Sequence, residues 1–301
     1  MTVPHSTPRS FHLPSPPPLL SRAGVLLVGV TGGIGSGKSH LCARIEAAGH
    51  PVFYCDDEAK RIIRTSSSAK KALRSVVGEE VYDTEGRLVK QVLASYLCQG
   101  RGNAARVDAV VHPRVAEAFI ARARQMADAL PTGAHLAAQR TLGYQAPLVP
   151  GKMLSRVASS IYAPTDAPAD FPASFLRRYP RRDGTPDWAG VSPDNGEESF
   201  APATTGQPVR TGLKEFLAAC PPGRVLFMEC ALLFDSGFDT LVDRTLLVHA
   251  SDETRLRRVM ARDGISRAAA QAWMDLQMTE EERIRRADIV VDNEEDDTPT
   301  K

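Results

Sequence analysis

Residues 25–41 read V-L-L-V-G-V-T-G-G-I-G-S-G-K-S-H-L. The first part, Val25 to Thr31, is a short valine-rich run ended by glycines, the pattern of a strand buried on both faces. The last part leads into L-C-A-R-I-E-A-A-G, which has helical spacing and a glycine stop at Gly49. At the junction, Gly32, Gly37, Lys38 and Ser39 satisfy G-x-x-x-x-G-K-[ST]. Glycines there let successive backbone N–H groups point inward, and the positive end of the following helix falls at the same spot. Polyphosphate is the natural occupant. Gly33, Ile34, Gly35, Ser36, Gly37, Lys38, Ser39 and His40 are therefore the expected nucleotide contacts, with Lys38 reaching the β- and γ-phosphates of ATP and the Ser39 hydroxyl on magnesium.

Outward from this loop, strand and helix keep alternating. Pro51 to Tyr54 is a second short strand, followed by a helix from about Asp57 to Thr65. Helical patterns run through L-V-K-Q-V-L-A-S-Y-L and V-A-E-A-F-I-A-R-A-R-Q-M-A-D-A-L. Later, V-L-F-M-E-C, R-T-L-L-V-H-A and D-I-V-V-D read as three more buried parallel strands. Between the last two, helices are expected with Ser266 as one N-cap and Thr279 with Glu282 as a capping box. The fold expected is α/β: a P-loop NTPase with a doubly wound five-stranded parallel sheet.

Proline marks the boundaries. Of 22 prolines, six precede residue 20 and thirteen lie between Pro131 and Pro222. The reading is a disordered leader over 1–23, kinase-like parts over 24–130 and 223–301, and an insertion over 131–222 that is mostly loop or disorder. As a surface loop, the insertion is expected to tolerate excision of residues 131–210. Its aromatics, Tyr162, Phe171, Phe175, Tyr179 and Trp188, stand beside Arg177, Arg178, Arg181 and Arg182, which leaves open a docking segment for an unknown protein partner. Lysine plus arginine number 37 against 36 acidic residues, so no global basic field points to nucleic acid. Five cysteines without a C-x-x-C pair read as reduced thiols, and no apolar run approaches a membrane span; a cytoplasmic protein is expected.

The blocks V-T-G-G-I-G-S-G-K-S, P-V-F-Y-C-D-D-E-A-K-R, V-V-H-P-R-V, A-L-L-F-D-S-G-F-D-T-L-V-D-R and the stretch from R-V-M-A-R-D-G-I-S to A-D-I-V-V-D-N together resemble the dephospho-CoA kinase family, in that family's order. The resemblance implies transfer of the ATP γ-phosphate to the 3′-hydroxyl of dephospho-CoA, with magnesium, on a fold that adds a helical substrate-binding region and a lid to the sheet. It makes Asp56 the base facing the acceptor, although an aspartate at the start of a helix is also a good cap. Tyr54 stands where the family has a first aspartate. His112, read with Pro113 as lying between two helical stretches, becomes an acceptor contact. Glu229 becomes a second acidic group for magnesium, Arg262 a lid arginine over the phosphates, and Asn293 a residue beside the adenine, with Glu294 departing from the family pattern. Other small P-loop kinases, of nucleoside monophosphate or shikimate type, and a non-catalytic nucleotide-binding protein are the rival readings.

Overall fold

β1 (Leu26–Thr31) is buried along its whole length, as a continuous apolar run requires when a sheet is covered on both faces. The computed structural model describes residues 25–130, 175, 178, 179, 181, 182 and 207–294. The other strands are β2 (Val52–Tyr54), β3 (Val209–Thr211), β4 (Val225–Glu229), β5 (Arg244–His249) and β6 (Ile289–Asp292). They form one six-stranded sheet in the order β2-β4-β1-β5-β6-β3. Every pairing between them is parallel. The five strands read from sequence all form. The sixth, β3, pairs with β6 at the edge and comes from the span read as insertion. That corrects the strand count: three residues, V-R-T, carry no period that a sequence window registers.

Side chains alternate between two faces. On one, Leu27, Leu226 and Met228 meet Ile62 of α2 (Cys55–Thr65), Leu73 of α3 (Ser67–Val77), and Val115 and Phe119 of α5 (Arg101–Ala129), with α4 (Lys90–Cys98) packed outside. On the other, Leu26, Val28, Phe227, Leu246 and Ile289 meet Leu41 and Ile45 of α1 (Lys38–Ala47) and Phe216 of α6 (Leu213–Ala218). Two residues of the insertion complete this second core, Phe175 at 2% and Tyr179 at 1% exposure. Polar contacts fix the same segment: Arg178 pairs with Glu215, buried Arg244 donates to the Tyr179 carbonyl, and Arg182 donates from its backbone to Asp288 at 2.9 Å. Of the aromatic and basic cluster, Phe175, Arg178, Tyr179 and Arg182 pack on their own chain. The remaining insertion aromatics, Tyr162, Phe171 and Trp188, lie outside the described residues, as does the leader.

α5 runs unbroken through Pro113, so His112 is not at a helix boundary as its sequence implied. Proline removes one N–H and crowds the carbonyl four residues back. Here Val110, Val111, Val115 and Ala116 are buried on both sides of it, and the Arg114 guanidinium donates to the Val110 carbonyl at 2.5 Å. Burial outweighs the local preference.

Beyond β5 an arm of two helices, α7 (Asp252–Asp263) and α8 (Arg267–Asp275), packs through Leu256, Val259, Ala270 and Met274, with Ile34 of the glycine loop against it. Ser266 caps α8 and Thr279 caps α9 (Glu280–Arg286) by accepting from the amides of Ala269 and Glu282, as read from sequence. No helix among the described residues is long and apolar enough to cross a membrane.

Candidate active site

The glycine loop joins β1 to α1 at the carboxyl edge of the sheet, where ligands of open α/β sheets bind. Gly35 and Gly37 have φ of 80° and 87°, a region that penalises a side chain. A Cβ on Gly37 would come within 2.1 Å of the Asn293 amide nitrogen, so backbone and neighbour both require glycine. The loop borders a cavity of about 570 Å³. Gly33, Ile34, Gly35, Gly37, Lys38, Ser39 and His40 line it together with Arg262 and Arg258 of α7. Ser36 does not: it is buried and its hydroxyl has no partner among the described residues.

Lys38 forms an ion pair with Glu229, the last residue of β4, with both side chains only 15% and 12% exposed. The two residues singled out for phosphate and magnesium are thus brought together. Tyr54 lies in register with Glu229, and α2 starts from there. Asp56 sits inside the first turn of α2, which begins at Cys55, so it is not the N-cap. Its carboxylate is exposed and pairs with Lys60 one turn on. Tyr54, in place of a carboxylate, turns to α1 and donates to Glu46 at 3.0 Å. Burial and that carboxylate push its phenol pKa up.

Asn293 donates to the Ser36 carbonyl at 2.8 Å, tying the end of β6 to the phosphate loop. Glu294 accepts from the hydroxyls of Ser251 at 3.1 Å and Thr254 at 2.9 Å, so this departure from the family pattern anchors the start of α7. Arg262 is 60% exposed and paired with Asp263. Arg258 lies closer in, 3.5 Å from the Ser36 carbonyl, and its second terminal nitrogen is buried without a partner among the described residues. His112 stands apart from the cavity lining, edge-on to Phe238 at 5.4 Å and 3.7 Å from Asp108.

Behind the loop lies a polar network that the motifs did not reveal. Arg255 donates to the Ile34 carbonyl at 3.0 Å, and Gln277 accepts from the Ile34 amide at 2.9 Å. Glu280 receives Arg255 at 3.3 Å, Arg283 at 3.1 Å and His249 at 2.8 Å. Burial works to raise the Glu280 pKa, but the His249 hydrogen bond and the two guanidiniums outweigh it and hold the carboxyl below its ordinary range. The same hydrogen bond raises His249 against burial. Since its amide is engaged by Gln277, Ile34 presents no free N–H to a phosphate in this state.

The parallel sheet, the glycine loop with its lysine, and the two-helix arm carrying Arg258 and Arg262 define a P-loop kinase. The family profile described as dephospho-CoA kinase matches residues 26–133 and 204–298, more than half of the chain. The protein belongs to the dephospho-CoA kinase family. A dephospho-CoA kinase from Bacteroides fragilis (strain YCH46) is 44% identical over 92 residues, which is 31% of this chain and 44% of that protein, so the match spans less than half of that relative. One from Salinibacter ruber is 26% identical over 267 residues, covering 89% of this chain and 88% of that one. Among solved structures, TT1252 from Thermus thermophilus is 24% identical, covers 92% of this chain and 90% of its own, and superposes with a TM-score of 0.47.

Proposed function

We propose that this protein transfers the γ-phosphate of ATP to the 3′-hydroxyl of dephospho-CoA, giving CoA and ADP, the last step of coenzyme A synthesis. The observation that carries the reading is the family match across both folded segments. The loop geometry supports it.

Phosphoryl transfer is largely positioning and charge stabilisation. Arriving phosphates would compete with Glu229 for Lys38, freeing the carboxylate at the sheet edge while the ammonium moves onto the β- and γ-phosphates. Arg258, with an unused buried donor, and Arg262, after exchanging Asp263, would close over the same oxygens. Asp56 would leave Lys60 and accept the proton of the 3′-hydroxyl. Asn293 would hold the loop in shape and border the adenine, and His112 would lie on the acceptor side among the helices α2 to α5.

Magnesium fits this donor set. One hydroxyl, Ser39, and one freed carboxylate, Glu229, suit a cation held mainly by phosphate oxygens and water. Among the described residues there is no group of three or more His, Cys, Asp or Glu to cage it more fully. When bound it would offset charge on the transferring phosphoryl group. The same proposal places the enzyme in the cytoplasm, acting on a small molecule and requiring neither nucleic acid nor membrane.

The test is to supply purified protein with Mg-ATP and, separately, dephospho-CoA, AMP and shikimate, and to assay ADP with the phosphorylated product. Turnover with dephospho-CoA is expected. Turnover with AMP or shikimate and none with dephospho-CoA would overturn the reading.

A further inference from the structure

We propose that Cys55 and Cys230 are a redox modification site, two thiols that close reversibly into a disulfide at the acceptor side of the cavity. Strands β2 and β4 pair in parallel through Tyr54 and Glu229, and Cys55, the first residue of α2, and Cys230 follow that last pair directly. Paired strands lie about 4.8 Å apart, so the two cysteines leave the sheet from a separation inside the span that a disulfide bridges. Both side chains point into the same core, against α2 and α5. Cys42 and Cys220 belong to the core on the opposite face and Cys98 is exposed, so neither thiol of the pair faces a rival. An odd cysteine count hid this pair in the sequence.

Register and core placement bring the Cys230 and Cys55 thiols onto one face at the same edge of the sheet. Both retain slight exposure, 8% and 6%, enough to admit an oxidant as small as hydrogen peroxide.

One thiol of the pair, as its thiolate, attacks one peroxide oxygen; a sulfur–oxygen bond forms, the oxygen–oxygen bond breaks, and hydroxide leaves and takes a proton as water. The other thiol, giving up its proton, attacks the sulfenic sulfur; the disulfide forms and a second water departs. Two thiols and one peroxide thus yield one disulfide and two waters. Exchange with a small thiol reverses it.

The bond would join the residue before Asp56 to the residue after Glu229. It would fix the first turn of α2 against the end of β4, where the proposed base must approach the acceptor. A small misplacement of a reacting group costs roughly a hundredfold in rate, and that is the loss expected. This consequence for activity, unlike the bond itself, rests on the function proposed above.

The experiment treats the whole protein with peroxide, removes the oxidant, and measures intact mass, linked peptides and ADP formation. The acceptor is the S-methyl thioether of dephospho-CoA, which has no thiol to reduce the bond. Expected are a loss of about two mass units, a Cys55–Cys230 linked peptide, and inactivation reversed by dithiothreitol. Cys55→Ser and Cys230→Ser should each lose the mass shift and keep their activity after treatment. Oxidation of Cys98 with no linked peptide would overturn the site. A linked peptide with unchanged turnover would overturn its effect on catalysis. The mass result is independent of the acceptor, so it stands whatever the untreated protein phosphorylates.

Discussion

At the carboxyl edge of the sheet, Lys38, Glu229, Arg255, Gln277 and Glu280 meet through ion pairs and hydrogen bonds, and the face beneath the insertion is closed by rings. Phe216 lies 5.8 Å from Phe175, 5.5 Å from Tyr179 and 6.1 Å from Phe227, centroid to centroid. Each aromatic there removes large apolar area from water at several kcal/mol. A polar edge of paired charges contributes far less net stability, because desolvation offsets most of the attraction. The difference separates two jobs. Substitutions at the edge should change rate and leave stability nearly intact, while substitutions under the insertion should do the reverse.

The largest effect should come from removing residues 131–210. That deletion takes away Phe175, Tyr179 and the first two residues of β3, and exposes Phe216 and Phe227. It should abolish the cooperative thermal transition, contrary to the tolerance expected of a surface loop. The single change Phe175→Ala should cost about 3–5 kcal/mol, read from denaturant unfolding, with kcat per folded molecule unchanged. A deletion variant that melts at the parental temperature would show that the aromatic face is dispensable.

Next in size is Asp56→Asn. A positioned base contributes roughly 10²- to 10⁴-fold, and kcat should fall by that range while ATP affinity and melting temperature hold. The side chain is 74% exposed, so its removal opens no core. Normal turnover would reduce Asp56 to one of three acidic residues complementing the positive end of α2.

The legibility of these two regions differs for a physical reason. The glycine loop, the five long-run strands and the caps at Ser266 and Thr279 are written in contiguous residues, where spacing alone carries the meaning. The network behind the loop is not: Ile34 and Gln277 are 243 residues apart, and neither motif nor period links them. The same holds for Phe175 and Tyr179, whose proline-rich surroundings look like solvated chain although β5 and α6 bury them. His112 was misplaced because a proline inside a buried helix reads locally as a break. Arg258 stands four residues before Arg262 and so on the same helix face, but spacing alone does not show its inward position.

Gln277→Ala sharpens the contrast at smaller amplitude. The substitution removes the acceptor of the Ile34 amide while Arg255 keeps the Ile34 carbonyl. One such hydrogen bond is worth about 0.5–1.5 kcal/mol net. KM for ATP should therefore change by about tenfold or less, with no shift in the pH profile of kcat and no more than about 1 kcal/mol lost from unfolding. A change confined to kcat would place Gln277 on the transferring group instead of behind the loop.

The smallest effect uses two histidines, one in each region, with opposite shifts. At the edge, His249 is raised by its bond to Glu280, with Asp292 also favouring the charged ring and Arg210 opposing it. On the aromatic face, His50 packs edge-on to Phe227 at 5.6 Å and is lowered by burial. A raised histidine contributes stability that is complete below its unfolded value near 6.5 and lost as pH rises through its folded value. A lowered one does the reverse: its contribution is present above 6.5 and lost as pH falls through the folded value. Because the two windows lie on opposite sides of 6.5, unfolding free energy in the parent should pass through a maximum near that pH. His249→Asn should leave only the His50 slope, so stability rises with pH up to about 6.5 and is level above it. His50→Phe should leave only the His249 slope, so stability is level below about 6.5 and falls above it. Parallel slopes in both variants would mean that the edge network and the aromatic face do not titrate independently, and the division of labour drawn between them would fail.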